Sequence, residues 1–266
     1  MRVDKNKALK IDSFIKNRDI YYLLYYIIRT DGSILYSDLD SYIIGRINDE
    51  YPVWIWNSDS ISDKSIGLLL EDLDSILVSG KNEITCSNMI YNSIKNKYNI
   101  TDYLDISFLM CKKLIKPKDC GNVKRAVPSD KDNLIELFKN DSLETEGIEL
   151  SDEEANNEID YFINIGKLFI LENKGKILSI CCYNMLDEMI KLTCVFTPKE
   201  YRNNGYCEWL IYNVTSRLLK LGFKVLLYTD RNYLPSNRAY KKIGFKEYSV
   251  LSKFNINMWG VLWNIN

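Results

Sequence analysis

The 266-residue chain contains no histidine. Without an imidazole it cannot run a Ser-His-Asp or Cys-His relay, and it cannot build a histidine-containing zinc, iron or copper site. Proton transfer must then use carboxylates, Tyr, Lys, Cys or water. A long apolar run is also missing: the longest, Ile20 to Ile28, is nine residues, against roughly 20 needed to span a bilayer. The start, MRVDKNKALKIDSF, is charged where a signal peptide needs an apolar stretch. The seven cysteines, at positions 86, 111, 120, 181, 182, 194 and 207, include no CxxC pair. An odd number so spaced predicts reduced thiols in a cytoplasm rather than a disulfide framework or a structural zinc site. Charge of one sign is not in excess either: residues 1–120 hold sixteen Lys and Arg against seventeen Asp and Glu, and the rest nineteen against nineteen. Neither half carries the basic footprint of a nucleic-acid binder. These absences predict a soluble, cytoplasmic protein with no metal, nucleic-acid or membrane partner.

What is present is a globular composition, 46% apolar and 27% charged, in a chain long enough for two ordinary domains. The boundary is expected at Lys116 to Asn122, where KPKDCGN interrupts two apolar segments, giving an α/β domain over 1–118 and a second over 119–266. Before the boundary the pattern predicts a helix over Asp19 to Arg29, although IYYLLYYII also suits a buried strand. Strands at Ser41 to Ile47 and Pro52 to Trp56, helices at Asp63 to Leu73 and Ser87 to Lys97, and a strand through Ile106 to Leu114 follow. Trp54 and Trp56, two apart on a strand, face the same side; core packing is the default, an acceptor-facing wall the alternative.

After the boundary, a strand at Val123 to Val127 leads to a helix capped by Ser129 or Asp130, with Leu134, Leu137 and Phe138 on its apolar face. Ser151 and Glu154 form a capping box for a second helix running to Ile165. Strands follow at Lys167 to Leu171, Ile177 to Tyr183 and Met189 to Thr197, the first two joined by the hairpin turn NKGK. A helix from Cys207 to Leu221 with Leu210, Val214 and Leu218 on one face, the strand FKVLLYT, a short helix from Ser236 to Ile243 stopped by Gly244, and a strand through Val250 to Phe254 complete the order.

The chemistry concentrates in VFTPKEYRNNGYCEW, where a strand ends, a loop follows and a long helix begins just after Gly205. The first turn of a helix leaves unpaired N–H groups carrying about half a positive charge, so a phosphate is favoured there without any lysine. Glycine adds no side chain to keep it away. The string R-x-x-G-x-C (Arg202, Gly205, Cys207), preceded by V-x-T-P (Val195, Thr197, Pro198) and followed by SNRAYKKIGF (Ser236 to Phe245), resembles the GCN5-related N-acetyltransferase (GNAT) superfamily over Val123 to Phe254.

The resemblance implies a mixed twisted sheet of the acyl-CoA N-acyltransferase type and acetyl-CoA as co-substrate, with no metal. It implies that Val195, Phe196 and Thr197 splay from the neighbouring strand and pair with the pantetheine arm. Arg202, Asn203, Asn204, Gly205, Tyr206, Cys207 and Glu208 would wrap the pyrophosphate, mainly through main-chain N–H groups. Asn232 and Ser236 would touch the cofactor, and Tyr240 would stand near the thioester sulfur. Three positions depart from the family pattern: Cys207 replaces a smaller residue, Asn203 replaces a glycine, and the asparagine at Asn232 is displaced by one.

The chemistry fits a chain without histidine. An alkylammonium has a pKa of about 10.4 and must lose a proton before it attacks a thioester, and a phenol at about 10 can share a proton with the departing thiolate. Tyr240 is the candidate acid. Glu188, with Asp187 and Glu200 as alternatives, is the candidate base. Cys194 on the central strand is read as a structural thiol rather than a nucleophile. Between Asp141 and Asp160 stand nine carboxylates and no Lys or Arg, a helix-terminal acidic stretch or an attractor for a cationic amine.

The expected activity is direct acetyl transfer to a primary amine, on a small molecule or a peptide, with a homodimer possible. The alternative is a catalytically weak acyl-CoA-binding module. The N-terminal half lacks an R-x-x-G-x-G string, and its strand-helix alternation from Pro52 to Leu114 suits either a degenerate copy of the transferase domain or an unrelated α/β domain.

Overall fold

The computed structural model describes residues 1–258; residues 259–266 of the expected second domain lie outside the described residues. The chain forms two compact units. One comprises residues 1–108, 230–232 and the C-terminal strand from Tyr248, the other residues 109–229 and 233–247.

The first unit opens with three helices, α1 (Lys5–Ala8), α2 (Asp12–Asn17) and α3 (Tyr22–Arg29). The last is the ambiguous run, and it is helical, burying Leu24, Tyr25, Ile27 and Ile28. An antiparallel meander follows, β1 (Ile34–Ser37), β2 (Tyr42–Arg46) and β3 (Val53–Asn57). Helix α4 (Asp63–Ile76) crosses over to β4 (Gly80–Ser87), which runs parallel to β3. Helix α5 (Asn88–Ile94) and β5 (Ile100–Cys111) come next. Serine hydroxyls start both helices: Ser62 accepts from the Ser65 N–H at 3.1 Å and Ser87 from the Ile90 N–H at 3.3 Å. Trp54 and Trp56 are both buried, Trp56 edge-on to Phe14 at 5.5 Å between ring centroids, so they are core residues and not the wall of a binding site. The pattern gave no sign of β1, and no bounds for β4, whose sequence GKNEITCS alternates too little to stand out.

In the second unit β6 (Asn122–Arg125), β7 (Leu168–Asn173), β8 (Lys176–Leu186) and β9 (Met189–Phe196) are successively antiparallel. The β7–β8 turn is a two-residue hairpin in which Lys174 and Gly175 both take positive φ, 51° and 76°. Between β6 and β7 lie α6 (Ile135–Glu146) and α7 (Asp152–Asn164). Ser151 and Glu154 do close a capping box at the start of α7, with the Ser151 N–H donating to Glu154 at 2.8 Å. The start of α6 differs from expectation: Pro128 opens a 3-10 turn to Asn133. The Asp130 carboxylate accepts from the Val127 N–H behind it at 3.0 Å, so it does not cap α6.

Helix α8 (Tyr206–Lys220) then leads to β10 (Lys224–Asp230), parallel to β9, and α9 (Leu234–Lys242) to β11 (Phe245–Met258). The second half of β11 belongs to the first unit, antiparallel to β4 with Leu251 opposite Ser87 and Met258 opposite Gly80. Both halves of the sequence therefore show the same connectivity: an antiparallel meander, a helix crossing to a parallel strand, a shorter helix and a last strand. The sheet pairing is mixed and the class α/β, as the resemblance implies. The core of the second unit forms where Leu210, Ile211, Val214 and Leu218 of α8 pack against Leu171, Cys181 and Val225 of the strands.

Candidate acyl-CoA site

Strands β9 and β10 part company early. Their pairing is confined to Met189–Lys224, Ile190–Val225 and Lys191–Leu226. From Leu192 onward the β10-facing edge of β9 has no strand partner among the described residues. On its other side β9 carries a β-bulge: Ile180 lies opposite Phe196 but Cys182 opposite Thr193, so β9 spends one residue more than β8. Cys194, within the bulge, takes φ +46°, outside the ordinary strand region. A bulge leaves backbone groups out of the ladder and bends the strand. Val195 and Thr197 are half-buried here, and Phe196 is buried.

Just beyond, the strand end is fixed from below. The Ser179 hydroxyl donates to the Phe196 carbonyl at 2.9 Å and lies 2.9 Å from the Thr197 hydroxyl. The loop is held by its own side chains: the Asn204 amide donates to the carbonyls of Tyr201 at 3.1 Å and Arg202 at 3.0 Å. Asn203 and Gly205 both take positive φ, 63° and 82°. At Gly205 a Cβ would meet only Cys120 Sγ at 3.6 Å, ordinary contact, so the left-handed backbone and not crowding calls for glycine. No side chain caps α8. Its first intrahelical bond closes at Trp209, whose N–H donates to Gly205. The N–H groups of Tyr206, Cys207 and Glu208 thus have no intrahelical acceptor at the start of a 15-residue helix, the kind of helix end that favours an anion.

The Arg202 side chain is engaged inside the protein. Its Nε donates to the Thr197 carbonyl at 2.9 Å, Nη2 to Glu144 at 2.8 Å and Nη1 to the Tyr233 hydroxyl at 3.3 Å, while the Tyr233 hydroxyl donates to Glu144 at 3.1 Å. The guanidinium beside Glu144 holds that carboxyl below the usual carboxylate range. This clamp ties α6, the loop and the start of α9 together, and sequence spacing did not reveal it: its three members come from separate elements.

Tyr240 on α9 is 6% exposed and packs in the same core cluster as Leu210, Trp209 and Cys181, with Cys207 against it. Burial, reinforced by nearby Cys207, Cys181 and Asp141, raises its phenol well above the ordinary range. It therefore keeps its proton and can donate a hydrogen bond. Burial likewise pushes the Cys207 thiol up to about 12, which leaves it a packing residue despite its place in the first turn. Ser236 is 3.0 Å from the Thr229 hydroxyl and donates to the Tyr233 carbonyl at 3.2 Å. The Asn232 N–H donates to the Asp230 carboxylate at 2.8 Å in a turn assigned to the other unit.

Glu188 is not brought to this site. It sits at the β8–β9 hairpin, 3.7 Å from Lys224 Nζ, at the opposite end of β9 from Phe196, roughly 20 to 25 Å away along the strand. Asp187 shares that hairpin, and Glu200 is exposed in the 3-10 turn Lys199–Tyr201. All seven cysteines are free thiols. Among the described residues no helix is long and apolar enough to cross a membrane.

The sequence model of the acetyltransferase (GNAT) family matches residues 132–245, from the 3-10 turn before α6 to the start of β11. No curated protein matches the sequence. The structure is similar to a GNAT-family acetyltransferase from Colwellia psychrerythraea, with a TM-score of 0.61 at 12% identity over 97% of this chain and 99% of that one. It is also similar to a GCN5-related N-acetyltransferase from Sphaerobacter thermophilus, with 0.64 at 11% over 95% and 92%. A Drosophila protein gives 0.68 at 10% over 98% and 99%. At such identities the likeness concerns the fold, which extends through the N-terminal half as well. The C-terminal half of the chain is thus a domain of the GNAT acetyltransferase family, which implies acyl-CoA-dependent acetyl transfer.

Proposed function

We propose that the second unit transfers an acetyl group from acetyl-CoA directly to a primary amine within a ternary complex. The observation that carries this reading is the conjunction of an uncapped helix start behind a left-handed glycine with a strand edge that opens just before it. Acetyl-CoA has both complements. Its pyrophosphate suits the N–H groups of Tyr206, Cys207 and Glu208. Its pantetheine amides suit the vacant edge of β9 at Val195, Phe196 and Thr197, as an added strand would. Arg202 contributes its main chain to the loop and its side chain to the clamp, while Asn232 and Ser236 serve the turns that lead into α9.

In the reaction the neutral amine nitrogen attacks the thioester carbon, the C–N bond forms and the C–S bond breaks. Backbone N–H groups released at the Cys194 bulge are suited to the oxygen that gains charge. Tyr240, held protonated by burial, steadies the departing sulfur, which ends as the CoA thiol. The N-terminal half is read as a copy of the same connectivity without a cofactor loop.

Calorimetry with CoA, followed by thiol release from acetyl-CoA across an amine panel at alkaline pH, tests the reading. Binding with turnover of at least one primary amine is expected. Tight CoA binding with no turnover on any amine would favour a binding module, and absence of CoA binding would remove the site.

A further inference from the structure

Glu144 stands in the last turn of α6, a turn with no basic residue, where the helix dipole disfavours a carboxylate. The stability of α6 alone gives no reason for an acid there. The reason lies across the cofactor loop. Glu144 Oε2 accepts from Arg202 Nη2 at 2.8 Å and Oε1 from the Tyr233 hydroxyl at 3.1 Å, so both carboxylate oxygens are used. The Arg202 and Glu144 side chains are 25% and 28% exposed, and each holds the other in its charged form. Arg202 in turn acts on the loop. Its Nε donates to the Thr197 carbonyl at 2.9 Å, and the guanidinium carbon lies 5.6 Å from the centre of the Phe196 ring. The guanidinium is a rigid planar fork, so the orientation set at Nη2 is passed to Nε. Thr197 and Arg202 are thereby held together, and the left-handed Asn203 and Gly205 and the open start of α8 follow directly. Glu144, Thr197, Arg202 and Tyr233 all belong to the second unit.

We propose that Glu144 is a positioning residue for the cofactor: through Arg202 it presets the loop that receives the pyrophosphate, and so sets the affinity for CoA from a helix outside that loop. The proposal rests on the acyl-CoA reading of the loop. It carries a sign that plain electrostatics would reverse. A carboxylate near a pyrophosphate repels it, so a Glu144 acting only through its field would weaken CoA binding, and removing its charge would tighten it. Removal would also tighten binding if the freed Arg202 turned its side chain to the phosphates. A positioning role predicts the opposite, because a loop no longer held in shape must be ordered at the expense of cofactor binding energy.

Calorimetry with CoA on Glu144→Gln, which keeps the length of the side chain and removes its charge, tests this. The Kd should rise about 10-fold, the scale of a lost charge-assisted hydrogen bond. Arg202→Lys keeps the charge but lacks the fork and should weaken CoA by a similar factor. The double variant should be no worse than about the weaker-binding single one, since both act through one clamp. A Kd for Glu144→Gln that is unchanged or tighter, or losses that add in the double variant, overturns the proposal. With an amine that the wild type acetylates, the KM for acetyl-CoA should rise with the Kd while kcat stays within about twofold; a kcat that falls as much as KM rises overturns it. Calorimetry decides alone if no amine is turned over. If Glu144→Gln does not fold, Tyr233→Phe decides: it leaves the Arg202–Glu144 pair in place and should weaken CoA about threefold, and an unchanged Kd overturns the proposal. A wild-type protein that does not bind CoA overturns the reading of the loop and this proposal with it. Wild-type binding that is insensitive to Glu144→Gln overturns this proposal alone.

Discussion

The two halves of the chain use one connectivity and finish it differently. In each, the central strand pairs with its parallel neighbour only at the start: Val53–Ile84 and Trp54–Thr85 in the first, three pairs ending at Lys191–Leu226 in the second. In the first half the strand ends are then tied and filled. The Ser87 hydroxyl donates to Asn57 at 2.6 Å, and Ile55, Trp56 and Cys86 are buried. The β2–β3 ladder runs without a shift, and Ser62 caps α4. In the second half the ends stay half-open at Thr193, Cys194 and Val195, the ladder is bulged, and α8 starts uncapped behind Gly205. The same parting of strands is thus a plugged seam in one unit and a cleft in the other. Side chains at a few positions decide which.

The largest effect is expected where that difference is most local. Gly205→Val places a β-branched residue at φ +82°, a conformation costing such residues roughly 1 to 2 kcal/mol or more. The loop would relieve the strain by turning its N–H groups away from the phosphate. CoA affinity by calorimetry should drop about 100-fold, with a modest loss of stability. Unchanged affinity would separate the helix start from cofactor binding and erase the contrast with α4.

Next comes Tyr240→Phe. The ring stays, so packing against Phe245 at 6.0 Å between centroids is kept, and only the hydroxyl is lost. Turnover should fall by about 10- to 100-fold while CoA affinity holds within about twofold. Equal losses in both would make Tyr240 a core residue like those that fill the first unit.

Much of this contrast was legible in the sequence because it is local. A glycine between a strand and an amphipathic helix declares the start of α8 within a few residues. The capping box at Ser151 and the stripe of Leu210, Val214 and Leu218 were readable for the same reason. What was not legible depends on pairing across the chain. The bulge at Cys194 exists only relative to Ile180 and Cys182, the strand parting only relative to Leu226, and the Arg202 clamp only because Glu144 and Tyr233 meet it from separate helices. Gly244 shows the limit well. It looks like a helix stop, yet a Cβ there would come within 2.1 Å of the Lys113 carbonyl. The close approach of a distant segment fixes the residue, and spacing cannot show it. Glu188 failed as a base candidate for the same kind of reason: a hairpin carboxylate was readable, but not which end of the strand would become the site.

The smallest expected effect is also the strictest control. Ser62→Ala removes the hydroxyl that caps α4 and opens that helix start, making it superficially like the start of α8. Loss of such a cap costs about 1 kcal/mol, a fall of roughly 2 to 4 °C in Tm for a protein of this size. An open helix end is necessary for phosphate binding but is not the whole site. No left-handed glycine precedes α4, and the strand ends beside it remain tied by Asn57 and Ser87. Calorimetry on the Gly205→Val, Ser62→Ala double variant should therefore show no recovery of CoA binding. Recovery would mean that the first unit is a latent site, closed only by one hydroxyl, and the contrast between a seam and a cleft would then rest on capping alone.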